Sequence, residues 1–234
     1  MGSSKRSLSQ TFYQLIPSRF PPVEVYERLG DLDVQNAAKV LENRTNPRLI
    51  EQARLAASGM SSLGETGLQN WNHAPFAYKD PRGTFFLGPA FGCLELATTE
   101  NLALAYSLIR REAFLANTNE AAIGLDMRVL SRKIDGTFDD LTNFNLDFPQ
   151  ADRRKIGNAL LAEDSKGVIF CRPGFGTEEF IAVFDQAILS KGLQGAHYRF
   201  TWDGEQIKSI YKFSDGTLTT RADLFRTFLN RSAA

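Results

Sequence analysis

Apolar residues along the 234-residue chain recur with a strand period in some stretches and a helical period in others. The densest apolar run lies in residues 91–106, FGCLELATTENLALAY. Cys93, Leu94, Leu96 and Ala97 are nearly continuous there, which predicts a short strand over 92–97 covered on both faces. Thr98 or Thr99 then caps a helix whose Leu102, Ala105, Leu108 and Ile109 follow helical spacing. Glu95 breaks the apolar run, and a carboxylate withdrawn from water is costly unless it is paired or faces a cavity. Tyr106 follows one or two turns into the helix, so the pattern predicts an acid and a phenol at one cleft.

The same reading extends over the rest of the chain. Residues 1–10 are polar and predicted to be disordered, followed by a strand over 12–16 that Pro17 stops. Arg19 precedes the rigid Pro21-Pro22 turn, and helices are expected over 23–29, 34–42 and 46–57. Residues 58–82 lack periodicity and read as a long irregular connection, with His73 an ordinary residue within it. A strand over 83–87 is expected beside the central one, and Ile123, Leu125, Met127 and Val129 alternate as a half-buried strand. Pro149 opens a helix with Ile156, Leu160 and Leu161 inward, and residues 167–171 and 180–184 are short apolar strands. Asp203-Gly204 joins strands over 196–202 and 206–213 in the manner of a type I′ turn. Thr220 caps a last helix with Leu224, Phe225 and Phe228 facing in. Strands and helices mix without strict alternation, which predicts one α+β domain over 11–234, a mixed sheet flanked by helices.

Charge and cysteine usage narrow the class. Lys plus Arg and Asp plus Glu are both 27, so no bulk charge calls for nucleic acid or an anionic membrane as partner. No apolar run approaches a membrane span and the N-terminus lacks a signal-peptide core. With two cysteines in apolar runs, this points to a cytoplasmic protein. The two histidines and two cysteines have no zinc spacing. Asp139, Asp140 and Asp147 read as a solvated acidic loop, so no metal is expected. GPAFG (88–92) and PGFGTEE (173–179) lead into strands, not helix N-termini, and read as tight turns instead of phosphate cradles. Arg110-Arg111 is placed on the wet face of the central helix.

LIPSRFPPVEVYERL near the N-terminus, TNPRL (45–49), MRVLSRKIDGTFDDL (127–141), KGVIF (166–170), IAVF (181–184) and HYRFTWDGEQI near the C-terminus form a set of distinctive stretches. Together they resemble the RES-domain family, the toxins of RES/Xre toxin–antitoxin systems. The resemblance covers most of the chain. It implies a fold related to bacterial ADP-ribosyltransferases, NAD+ as substrate or ligand, a Xre-type helix-turn-helix antitoxin and a homodimer as partners.

The family's signature is an arginine, a strand tyrosine, a glutamate on the next helix and a serine on a later strand edge, set around the nicotinamide side of NAD+. These positions fall on Phe85, Glu95, Tyr106 and Arg172, and all four differ from the family. Arg82 supplies the arginine only if the loop carries an insertion. The resemblance implies Glu95, Tyr106 and Arg172 as catalytic groups, and Arg82, Phe85 and Arg19 as contacts to the dinucleotide. Three readings stand side by side. One is a catalytically dead RES-like binding or interaction module. A second is a permuted site, in which Glu95 faces the ribosyl cation of nicotinamide–ribose cleavage, Tyr106 orients it and Arg172 holds a phosphate. The third is a ligand-free ion pair between Glu95 and Arg172.

Overall fold

The computed structural model describes residues 4–18 and 70–229. Arg19, the helices expected over 23–57 and the TNPRL stretch lie outside the described residues, and so does the side chain of His73.

Eight strands form one mixed sheet. In chain order they are β1 (Ser4–Pro17), β2 (Leu94–Ala97), β3 (Ile123–Asp140), β4 (Gly167–Cys171), β5 (Glu179–Val183), β6 (Leu193–Trp202), β7 (Ile207–Lys212) and β8 (Leu218–Thr220). Helices α1 (Asn70–Ala77), α2 (Glu100–Leu115), α3 (Gln150–Ala162) and α4 (Arg221–Leu229) accompany it. The strand order is β1-β2-β5-β4-β3-β6-β7-β8, and β1 also pairs with β3. The first five strands in that order therefore close on themselves, and β6-β7-β8 extends from β3 as an antiparallel meander. The fold is α+β, with β3–β4 parallel and its other pairings antiparallel.

Period-2 alternation splits the apolar residues of the five-strand ring between its two faces. Phe12, Leu94, Leu96, Ile134, Phe138 and Ile181 gather on one face. Leu15, Ala97, Val129, Val168, Phe170 and Ala182 gather on the other, where α2, α3 and α4 add Leu102, Leu108, Leu160, Leu224 and Phe228. Among the described residues, no helix is long and apolar enough to cross a membrane.

Several expectations are corrected. Residues 4–10 are not disordered: β1 pairs with β3 over all 14 of its residues, from Ser4↔Asp140 to Pro17↔Met127. Its polar side chains have cross-strand partners, Lys5 on Asp139 at 2.7 Å and Arg6 on both oxygens of Glu179 at 2.9 and 2.7 Å. Asp139 accordingly belongs to no solvated loop; it is 0% exposed and also accepts from Ser165 Oγ at 2.6 Å. Part of the expected irregular connection is helical, as α1.

Residues 83–87 form a turn instead of a strand, closed by Thr84 N–H to Leu87 O at 2.8 Å and entered through Gly83 at φ +73°. Phe85, Phe86 and Leu87 are buried within it, so the apolar run reported burial and not extension. The β6–β7 connection is not a two-residue I′ turn. Gly204 has φ +106°, whereas the Asp203 carboxylate accepts the N–H groups of Glu205 and Gln206, both at 2.8 Å.

Candidate functional site

The site begins with β2. Leu94 and Leu96 take the apolar face opposite α2, and alternation sends Glu95 to the helical side. Thr99, in extended conformation, accepts the Leu102 N–H at 3.2 Å and starts α2 directly beyond the strand. The helix folds back over the same face and brings the Tyr106 hydroxyl to Glu95 Oε2, to which it donates. The 83–87 turn presents the Phe85 N–H to Oε1 at 2.8 Å. Gly157 of α3 permits the close approach that seats this turn, since a Cβ there would stand 2.2 Å from Phe86 O.

Arg172, just past β4, completes the group. Its Nη1 lies 3.3 Å from Glu95 Oε2 and donates to the Tyr106 oxygen at 3.1 Å. Its guanidinium rests over the rings of Phe85 and Tyr106, with centroids at 4.4 and 4.6 Å. The Glu95 side chain is 6% exposed and that of Arg172 is 23% exposed.

Burial pushes the Glu95 carboxyl up, but Arg172, the Tyr106 hydroxyl, Arg110 and the Phe85 N–H outweigh it and hold the pKa below the ordinary carboxylate value. Glu95 is therefore an anion at neutral pH. Burial, then the Glu95 charge, push the Tyr106 phenol well up, so it stays protonated and donates.

Glu95 and Tyr106 also border a cleft of ≈ 240 Å³. It opens where β1 and β2 part, for the two strands share the single pair Tyr13↔Ala97, whereas β1 stays paired with β3 along its whole length. One wall is β1 from Tyr13 to Pro17. The other is α2, through Ala103, Tyr106, Ser107, Arg110, Arg111 and Phe114, and Arg82 also lines it.

Four of the six residues singled out from the sequence thus meet: Glu95, Tyr106, Arg172 and Phe85. Arg172 and Phe85 touch Glu95 without lining the cleft. Arg82 lines it but reaches Asp80 at 3.3 Å, not Glu95. Arg19 lies outside the described residues. Arg110 and Arg111 do lie on the solvent side of the helix, where the Arg110 side chain is 55% exposed, but that side also lines the cleft; Arg110 lies near the Tyr106 ring and 3.6 Å from Asp80. The missed signal was the four-residue spacing of Tyr106, Arg110 and Phe114 along one helix. Among the described residues, no group of His, Cys, Asp and Glu is assembled that could hold a metal ion.

No family model matches the chain. The protein y4oC of Sinorhizobium fredii, described as uncharacterized, is 41% identical over 209 residues, which cover 89% of this chain and 90% of y4oC. The chain belongs to the y4oC family. Among solved structures, a chain of the M. tuberculosis MbcT–MbcA toxin–antitoxin complex aligns with a TM-score of 0.42 and 13% identity, covering 98% of this chain and 92% of that one. Likeness at that level assigns no activity.

Proposed function

We propose that this protein is a RES-type toxin-like protein that takes NAD+ or a related ADP-ribosyl compound into the β1–α2 cleft. Its reaction is cleavage of the nicotinamide–ribose bond, with the ribosyl group passing to phosphate, water or a protein. The observation that carries this is the charge pattern: one ionised carboxylate and three guanidinium groups, those of Arg82, Arg110 and Arg111, border a single cleft. Asp80 pairs with both Arg82 and Arg110. A nicotinamide ribosyl cation joined to a pyrophosphate has the complementary pattern.

Glycosidic cleavage builds positive charge on the ribose, and a fixed carboxylate beside the sugar stabilises that charge most in the transition state. Glu95 is the group in place for this, Tyr106 and the Phe85 N–H hold its orientation, and Arg172 anchors both. The arginines suit phosphate oxygens. The ≈ 240 Å³ of the cleft falls below the roughly 300–1,000 Å³ of sites that enclose a whole drug-sized ligand, so a dinucleotide lies along it only partly enclosed, with one side open to solvent.

A second reading has an observation in its favour. Both Glu95 oxygens already accept hydrogen bonds from the protein, as in a structural anion. On that reading the chain binds its ligand without turnover and acts through partners, a Xre-type helix-turn-helix antitoxin or a second copy. The deciding experiment is nicotinamide release from NAD+ by the pure protein, with calorimetric titration of NAD+ and ADP-ribose alongside. The first reading expects turnover that falls by orders of magnitude in a folded Glu95→Gln variant while binding persists. Binding without release in the parent protein selects the second. Neither release nor binding overturns both.

A further inference from the structure

We propose that α2 acts as a ruler along the cleft, so that the ligand is a full dinucleotide whose second base stacks on Phe114. This rests on the NAD+-type reading of the same cleft. The α2 residues facing the cleft fall on two rows of four-residue spacing, Ala103-Ser107-Arg111 and Tyr106-Arg110-Phe114. At the α-helical rise, Tyr106 and Phe114 are separated by about 12 Å along the axis.

Chemistry changes in order over that length. At one end Tyr106 holds the ionised Glu95. In the middle stand Arg110 and Arg111, with Arg82 joined to Arg110 through Asp80. At the far end is Phe114, whose residue surface is 52% exposed. A ligand matching this order has a cationic glycosidic centre, then a pyrophosphate, then a planar base. A mononucleotide ends at the arginines and never reaches the phenyl ring.

Exposed phenylalanines occur elsewhere among the described residues, at Phe91 and Phe213, but neither lines this cleft. Phe213 already carries the Arg199 guanidinium at 5.4 Å. Aromatic side chains stack on any base, since each has a π face, so the ring supplies affinity without selecting the base by hydrogen bonds. Phe114 lies outside the hydrophobic clusters of the core, so its replacement leaves the fold intact.

The test is calorimetric titration of the full chain with NAD+, ADP-ribose and nicotinamide mononucleotide, using the parent protein, Phe114→Ala and Phe114→Trp. Phe114→Ala is expected to weaken NAD+ and ADP-ribose by roughly 5- to 150-fold and to leave the mononucleotide unchanged. Phe114→Trp is expected to restore or exceed the parent affinity, and thermal melts of both variants should match the parent. Equal losses for dinucleotide and mononucleotide, or no loss for either, overturn the ruler while the NAD+ reading stands. If the parent binds none of the three, the NAD+ reading fails and the ruler fails with it.

Discussion

Glu95 and Arg132 are charges withdrawn from water on opposite faces of the same sheet, and the fold treats them in opposite ways. Glu95 receives a hydroxyl, a backbone N–H and a guanidinium, and remains an anion. Arg132 is 1% exposed and shares its face of β3 with Ile134 and Phe138. Its Nε donates to Asn72 Oδ1 at 2.5 Å and its Nη1 to Gln14 Oε1 at 3.0 Å, while Nη2 has no hydrogen-bond partner among the described residues. Both acceptors are neutral amides, and burial alone pushes its pKa down to about 10. Asn72 continues the chain of contacts to Ser190 O at 3.0 Å, and Gln14 lines the cleft. Compensation decides the outcome: a charge met by an opposite charge holds its neighbours together, whereas one met, among the described residues, by neutral amides keeps a desolvation cost while it organises an amide network.

The comparison predicts a large loss for removing the first charge and little loss, or a gain, for removing the second. Glu95→Ala strands the Arg172 guanidinium and leaves Tyr106 and the Phe85 N–H without their acceptor. It should lower stability by roughly 3–5 kcal/mol, the scale for breaking a buried pair. Urea denaturation reads this directly, and a loss below about 1 kcal/mol would mean that the cluster contributes little, as exposed pairs do. Arg172→Ala should cost less, about 1.5–3 kcal/mol for hydrogen bonds to a charged group, because that side chain is partly exposed and water replaces it in part.

A titration sharpens the same point. The folded pKa of Glu95 lies below its ordinary value of 4.5, so its contribution to stability is present above pH 4.5 and is lost as pH falls through the folded value. Melting temperature should therefore drop with pH in the acid range, and the drop should be shallower in Glu95→Gln. Equal slopes would remove Glu95 from the account. The smallest effect is expected at Arg132→Met, where an apolar side chain of similar length removes the buried charge. Stability should shift by no more than about 1 kcal/mol, or rise, because the relieved desolvation offsets the two lost amide contacts. A loss as large as that of Glu95→Ala would erase the distinction between the two sites.

Local pattern made several elements legible. The strand at 167–171 and the inward Leu224 and Phe228 of α4 agree with the sequence reading, since each element's period reports its own buried face. The Glu95 anomaly was legible too, because an acid inside an apolar run needs a partner wherever the strand goes. Arg132 was not. Burial alternates around it and sets Arg132 on the buried row with Leu130 and Ile134, but its amide partners Gln14 and Asn72 are distant in sequence and no local pattern announces them.

The sequence by itself determined the mixed strand and helix content, the Glu95–Tyr106 pairing across a strand–helix turn and the capped start of α2, all consequences of neighbours within about a dozen residues. The tertiary structure alone decided that residues 4–10 are a strand, because the backbone partners that order them lie in β3, more than a hundred residues away. It alone decided that Arg110 and Arg111 face a cleft, because that cleft exists only where β1 and β2 diverge beyond their single pair, Tyr13↔Ala97. A side chain's periodicity states which way it points, but what it points at depends on contacts distant in sequence, whose formation no local pattern records.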